Sequence, residues 1–180
     1  MIPPMKPLCT ILTLVLLASI SLAAPAPTNT PTSVQVYFSP NGGGTDAIVG
    51  EINKAKAEIL VQAYSFTSKE IAKALIDAHL RCIKVQVILD KSNLTEKYSA
   101  ADFVAHAGIP ILIDSEHAIA HNKVMVIDAE TVITGSFNFT KAAEEHNAEN
   151  LLILHDKTLA AKYTANWQDH ATHSKPYSRQ

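Results

Sequence analysis

His121, Asn122 and Lys123 open a stretch in which residue types able to do chemistry recur at fixed intervals. Asp128 follows, and then Gly135, Ser136, Phe137 and Asn138. Written as spacing, the pattern is H-x-K, four residues, D, six residues, G-S-x-N. A neutral imidazole can attack as a nucleophile or carry a proton near neutral pH. An ammonium, a hydroxyl and a carboxamide can surround an anion and stabilise charge that builds up as it reacts. A nucleophile, a cation and neutral donors are what splitting a phosphate diester needs. Joint spacing makes this far more specific than any one of these residues alone.

The elements around the motif must place these groups. A strand from His121 to Ile127 would put His121 and Lys123, two apart, on one face. A buried lysine is costly unless an anion meets it, and a phosphate supplies one. Gly135 to Asn138 falls between a strand and the start of a helix. There Ser136 and Asn138 can cap the helix, whose amino end would complete a phosphate cradle. Asp128 sits in the turn Asp128-Ala129-Glu130 and reads first as a turn former. Glu149 precedes an apolar strand. Its residue type fits a solvated loop acid or a carboxylate that orients His121, and sequence alone leaves both open.

The rest of the chain alternates strands and helices. Strands are expected at Val34–Phe38, Glu58–Tyr64, Ile83–Leu89, Ile111–Ile113, Thr131–Thr134 and Leu151–Leu154. Helices are expected at Asp46–Ala57, from a Thr67-Ser68-Lys69-Glu70 capping box through Leu80, at Tyr98–Ala107 before Gly108, at Phe139–Glu145, and at Lys157–His170 with Leu159, Tyr163 and Trp167 on one stripe. That alternation predicts a layered α/β domain. The glycine run Gly42-Gly43-Gly44 has no Gly-Lys-Ser/Thr after it and reads as a plain loop.

The chain has 180 residues, enough for one domain. Lys6, the apolar run Leu8–Leu22 and the small residues Ser21-Leu22-Ala23 read as a signal peptide over 1–23. The run is shorter than the roughly twenty residues a spanning helix needs. A secreted or periplasmic protein is therefore expected. Residues 24–33, rich in Pro, Thr and Ala, read as a disordered lead-in, leaving 34–180 as the folded domain. Cys9 would leave with the signal peptide, so Cys82 has no disulfide partner and reads as a small buried apolar residue.

The net charge is −2, so a polyanion must be held by a local patch rather than by the whole surface. Lys91, Lys97 and Lys141 are the candidate nucleic-acid contacts. Eight histidines are present, with His117 and His121 four apart and His170 and His173 three apart. No H-E-x-x-H or cysteine pair accompanies them, so neither a catalytic metal nor another cofactor is expected.

The motif His121, Lys123, Asp128, Gly135, Ser136 and Asn138, with Ala63 to Thr67, Gly135 to Ala143 and Trp167-Gln168-Asp169, resembles the phospholipase D superfamily. Within it, the chain is similar to small secreted endonucleases that carry one copy of the motif. The resemblance runs from about Val34 to about His170. It implies a single domain with a mixed β-sheet flanked by helices on both faces, and metal-independent cleavage of phosphodiesters in DNA or RNA. It also implies roles: His121 as the nucleophile that forms a phosphohistidine, Lys123, Asn138 and Ser136 on the phosphate, Glu149 on the histidine, and Asp128 as structural more than catalytic. Cys82 stands where relatives commonly carry glycine.

One histidine cannot lie on both sides of a phosphorus atom, and the chain has no internal repeat. A two-fold homodimer would bring a second His121 to the leaving-group side. Lipid headgroup hydrolysis of the cardiolipin type, or a non-catalytic nucleic-acid-binding module, are the competing readings. The domain shows no basic amphipathic segment of the membrane-seeking kind.

Overall fold

A computed structural model describes residues 33–96 and 99–178 of the chain. The expected signal peptide at 1–23 and Lys97 lie outside the described residues. The expected lead-in lies outside the described residues too, except for Ser33, which opens β1 (Ser33–Phe38).

Eight strands form one sheet in the order β1-β7-β6-β5-β2-β3-β4-β8. β2 (Glu58–Ala63), β3 (Lys84–Asp90) and β4 (Ile111–Asp114) are parallel. Parallel neighbours need a crossover, which α2 (Lys69–Leu80) and α3 (Ala101–His106) provide. β5 (Lys123–Ile127), β6 (Thr131–Gly135) and β7 (Asn150–His155) continue the sheet antiparallel, and β1 closes it on β7. The short β8 (Lys175–Pro176), which the sequence pattern did not reveal, pairs with β4.

Both sheet faces are covered, and the strand period of two sorts the side chains between them. Met125 and Ile127 join Ile59, Val61, Val87 and Leu89 in the core under α1 (Gly44–Lys54), α2 and α3. Val124 and Val126 join Leu60, Ile88 and Val132 under α5 (Lys157–His173) on the other face. α5 is pinned there by Trp167, whose indole N–H donates to the Val61 carbonyl at 2.8 Å. Burying each such large side chain contributes about 2–3 kcal/mol.

Local chemistry moved several expected boundaries. α1 starts at Gly44 and ends at Lys54, where Ala55 turns extended. Ser68 rather than Thr67 caps α2, its Oγ accepting from the Ile71 N–H at 3.3 Å. α3 keeps only Ala101–His106, and α5 runs on to His173. Cys82 is exposed, not buried, and its φ of 67° lies in the left-handed region. A residue there ends α2 and turns the chain into β3, which is a glycine's role.

Candidate active site

The strand directions bring four ends to one edge of the sheet. β5 runs against β2, so Lys123 pairs with Ala63 at the carboxyl end of β2. β6 runs against β5 and β7 against β6, so Gly135 and Leu151 pair at the same edge. Residues distant in sequence, around 64, 121–123, 136–138 and 149–150, are thereby set together by topology.

His121 does not sit on the strand. β5 begins at Lys123, and His121 and Asn122 approach it along the sheet edge, with the Asn122 carbonyl accepting from the Tyr64 N–H at 2.8 Å. His121 is exposed, and its ring packs on Tyr64 with centroids 4.6 Å apart. Lys123 is buried, at 6% exposure. Its Nζ donates to the His121 carbonyl at 2.8 Å and stands 5.0 Å from the Tyr64 ring centroid. Burial lowers the lysine pKa below its ordinary value, and the charge of Glu149 partly opposes that. The Glu149 carboxylate is therefore within electrostatic reach of the site. It accepts from Asn147 Nδ2 at 3.1 Å.

Gly135 is required by close approach: a Cβ there would meet the Asn150 carbonyl oxygen at 2.2 Å, with φ at +150°. That carbonyl accepts from the N–H groups of Ser136 and Phe137. Ser136 Oγ accepts from the Asn150 backbone N–H at 3.0 Å and from Asn150 Nδ2 at 3.2 Å. Ser136 and Asn138 are not helix caps. Thr140 caps α4 (Lys141–Glu145), with its Oγ1 accepting from Ala143 N–H, so the expected cradle at a helix amino end is replaced by the loop itself. Phe137 and Phe139 are fully buried on either side of Asn138 and fix it in place. Asn138 Oδ1 is buried without a hydrogen-bond partner. A half-turn of the amide exchanges its oxygen for an N–H donor, and an unpartnered buried polar end calls for a ligand or an ion.

Asp128 belongs elsewhere. It lies at the opposite end of β5, about 16 Å from Lys123 at the strand rise. With Ala129 it forms a tight hairpin turn, both at positive φ, closed by Glu130 N–H to the Ile127 carbonyl. Its carboxylate accepts from the N–H groups of Lys56, Ala57 and Glu58 at 2.8 to 3.0 Å. Asp128 is thus a latch between the hairpin and the α1–β2 loop, in keeping with a turn former and apart from the edge that carries His121 and Lys123. Lys141 is turned onto Glu145 at 3.3 Å and shares a hollow with Asp46, Glu70 and Glu144, an acidic setting that does not suit a nucleic-acid contact. Lys91 Nζ donates to the His117 carbonyl at 3.0 Å and so straps the loop leading to His121.

Sequence reading missed the residues that hold this edge in shape. Asp90, buried at the end of β3, accepts from the Ala120 N–H at 2.7 Å, one residue before His121. Asn93 donates to the Tyr64 carbonyl at 2.7 Å. Neither carries a motif signal, because each acts through a backbone group distant in sequence. A second group was also missed: Asp114, His117, His170 and His173 converge near the end of β4. The three-residue spacing of His170 and His173 was its one trace in the sequence.

The exposed His121 imidazole, the buried Lys123 ammonium and the unpartnered Asn138 amide are thus carried to one edge of the sheet. A family model described as "Cardiolipin synthase, PLD-like domain" matches residues 48–170, and the chain belongs to the phospholipase D-like family. A protein named phospholipase D from Rickettsia felis is 46% identical over 134 residues, spanning 74% of this chain and 67% of the relative. The crystal structure of a phospholipase D family member, Nuc from Salmonella typhimurium, superposes with a TM-score of 0.78 at 40% identity, over 83% of this chain and 99% of that one. NucT from Helicobacter pylori shares the fold, with a TM-score of 0.75 at 24% identity over 81% of this chain and 99% of its own.

Proposed function

We propose that this chain is a metal-independent endonuclease that cleaves DNA, or RNA, through a phosphohistidine formed at a site shared by two copies of the chain. The observation that carries the reading is the exposed His121 ring beside the buried Lys123 ammonium and the unpartnered Asn138 amide. A substrate phosphate would give the ammonium the anion that its burial calls for.

In this mechanism, neutral His121 attacks phosphorus. A P–N bond forms and the P–O bond to the leaving strand breaks. The departing oxygen takes its proton from the imidazolium of His121 of the second copy. Water then attacks phosphorus, that second ring takes up its proton, and the P–N bond breaks to release His121. Lys123 and Asn138 of both copies stabilise the charge that develops on the phosphoryl oxygens. Ser136 shapes the loop through Asn150, and Glu149 tunes the charge around Lys123 and orients the histidine. Lys91 and Lys97 extend the contact to the polyanion. The two histidines must start turnover in different protonation states. The protein would act in the periplasm or outside the cell after removal of residues 1–23. No helix among the described residues is long and apolar enough to cross a membrane.

The test is plasmid cleavage in excess chelator, at a temperature well below melting, beside His121→Ala. Cleavage that survives chelation and is lost in the variant supports the proposal. Cleavage retained by His121→Ala removes it, and undiminished DNA affinity with no turnover in either protein marks a binding module. A second reading, hydrolysis of a lipid headgroup ester, draws on the name of the Rickettsia relative and on a hollow of about 650 Å³ whose lining joins Ala72, Ala100 and Phe103 to Lys69, Lys73 and two hydroxyl residues. Headgroup release from cardiolipin vesicles, with DNA left intact, would favour it.

A further inference from the structure

We propose that Asp114, His117, His170 and His173 form a binding site for one divalent transition-metal ion, with zinc the best fit, which ties the loop carrying His121 to the carboxyl end of α5. The site is independent of which phosphodiester the enzyme cleaves.

Each of the four side chains offers one ligand atom, and the four atoms lie within 4.8 Å of one another. Asp114 is fully buried. Its Oδ2 has His170 Nδ1 at 2.7 Å, His117 Nδ1 at 3.1 Å and His173 Nε2 at 3.4 Å. Ligand atoms about 2.0–2.1 Å from a tetrahedral zinc ion stand about 3.3 Å apart; the three contacts to Oδ2 lie near that spacing, and the set as a whole, within 4.8 Å, need only draw in to reach it. Three imidazoles and a carboxylate are a donor set suited to zinc, and to cobalt as its spectroscopic substitute. A single carboxylate surrounded by three ring nitrogens has more donors than its one charge needs. A dication shared among all four satisfies the set.

The fold assembles this site from three places. Asp114 ends β4, His117 lies three residues on in the loop, and His170 and His173 occupy one face of the last turn of α5. The side chain of His117 is 46% exposed and gives an ion a way in. In the sheet, β4 is separated from β5 by β3 and β2, three strand spacings or about 14 Å. The site therefore lies on the same edge of the sheet as Lys123, displaced along it by that distance. Residues 115–122 bridge that gap, held along it by Lys91 at the His117 carbonyl, by Asp90 at the Ala120 N–H and by Tyr64 at the Asn122 carbonyl. Metal at the far end would anchor this strap where it leaves β4.

The test titrates cobalt, then zinc, into full-length protein prepared without a polyhistidine tag. Saturation at one ion per chain is expected, with the visible bands of tetrahedral cobalt that zinc abolishes. The same titration of His121→Ala should be unchanged. His117→Gln, a loop substitution that leaves both packed helical histidines in place, should weaken binding by more than the roughly 10–100-fold that loss of a supporting hydrogen bond costs. His170→Ala with His173→Ala should abolish it. Zinc should also raise the melting temperature of the wild-type chain, and chelation should lower it while the cleavage rate at low temperature is kept. Absence of saturable binding, or binding that His117→Gln and the double variant leave undiminished, overturns the proposal, as does weak uptake by surface histidines alone.

Discussion

At one end of β5, Lys123 is buried next to an exposed His121, and on the same sheet edge Asn138 carries a buried, unpartnered amide oxygen. At the other end, Asp128 closes a hairpin turn and accepts three backbone N–H groups from the α1–β2 loop. Both ends come from the same spaced motif. The first keeps charge and hydrogen-bonding capacity open toward a ligand, whereas the second satisfies its capacity within the chain. A motif thus records two kinds of constraint, and hydrogen-bond accounting separates them.

This contrast sets the scale of each substitution. His121→Ala should reduce turnover by on the order of 10⁴-fold or more with an unchanged melting temperature. A measurable fall in stability would mean the ring also holds the loop. Lys123→Met should reduce kcat by roughly 10²–10³-fold while stability holds or rises, since a buried ammonium is replaced by an apolar chain of similar length. A large loss of stability would show that its bond to the His121 carbonyl matters more than its charge. Because burial lowers the Lys123 pKa, activity should decline on the alkaline side as pH rises through that lowered value, earlier than for an ordinary lysine. The wild-type rate profile against that of Lys123→Arg checks this.

Asp128→Ala should leave kcat per folded molecule unchanged and cost about 1–3 kcal/mol of stability, read by denaturant unfolding. Lost activity in a folded variant would break the division between the two ends. Its pH dependence has a definite sign. Burial would raise the Asp128 pKa, but the N–H groups of Glu58, Lys56 and Ala57 bring it below its ordinary value. The stability it contributes is therefore fully present above about pH 4 and is lost as pH falls through the lowered value. Wild type and Asp128→Ala should converge in stability in strong acid. The smallest effect belongs to Cys82→Gly, which relieves a left-handed backbone and should raise stability by up to about 1 kcal/mol.

How much of this was legible beforehand follows from what each feature depends on. The strands were readable because alternation and apolar runs report burial directly, as in Lys84–Asp90. The candidate site was readable as a list, since His121, Lys123 and Asn138 carry a spaced signature. Their arrangement was not. His121 precedes its strand because Tyr64 holds the backbone there, and Thr140 displaced Ser136 and Asn138 as the cap of α4. Cys82 was misread because residue type suggests burial, whereas backbone conformation at the end of α2 decided its exposure. Asp90, and the cluster around Asp114, depend on partners 30 to 59 residues away in the chain, a range at which local pattern carries no information.

The indole bonded to the Val61 carbonyl has a practical consequence. The chain contains a single tryptophan, and it sits at the interface of α5 with the sheet, 5% exposed. Its fluorescence is consequently a built-in gauge of one event, the docking of the last helix. A red shift in emission on heating would time that helix's departure against the unfolding of everything beneath it.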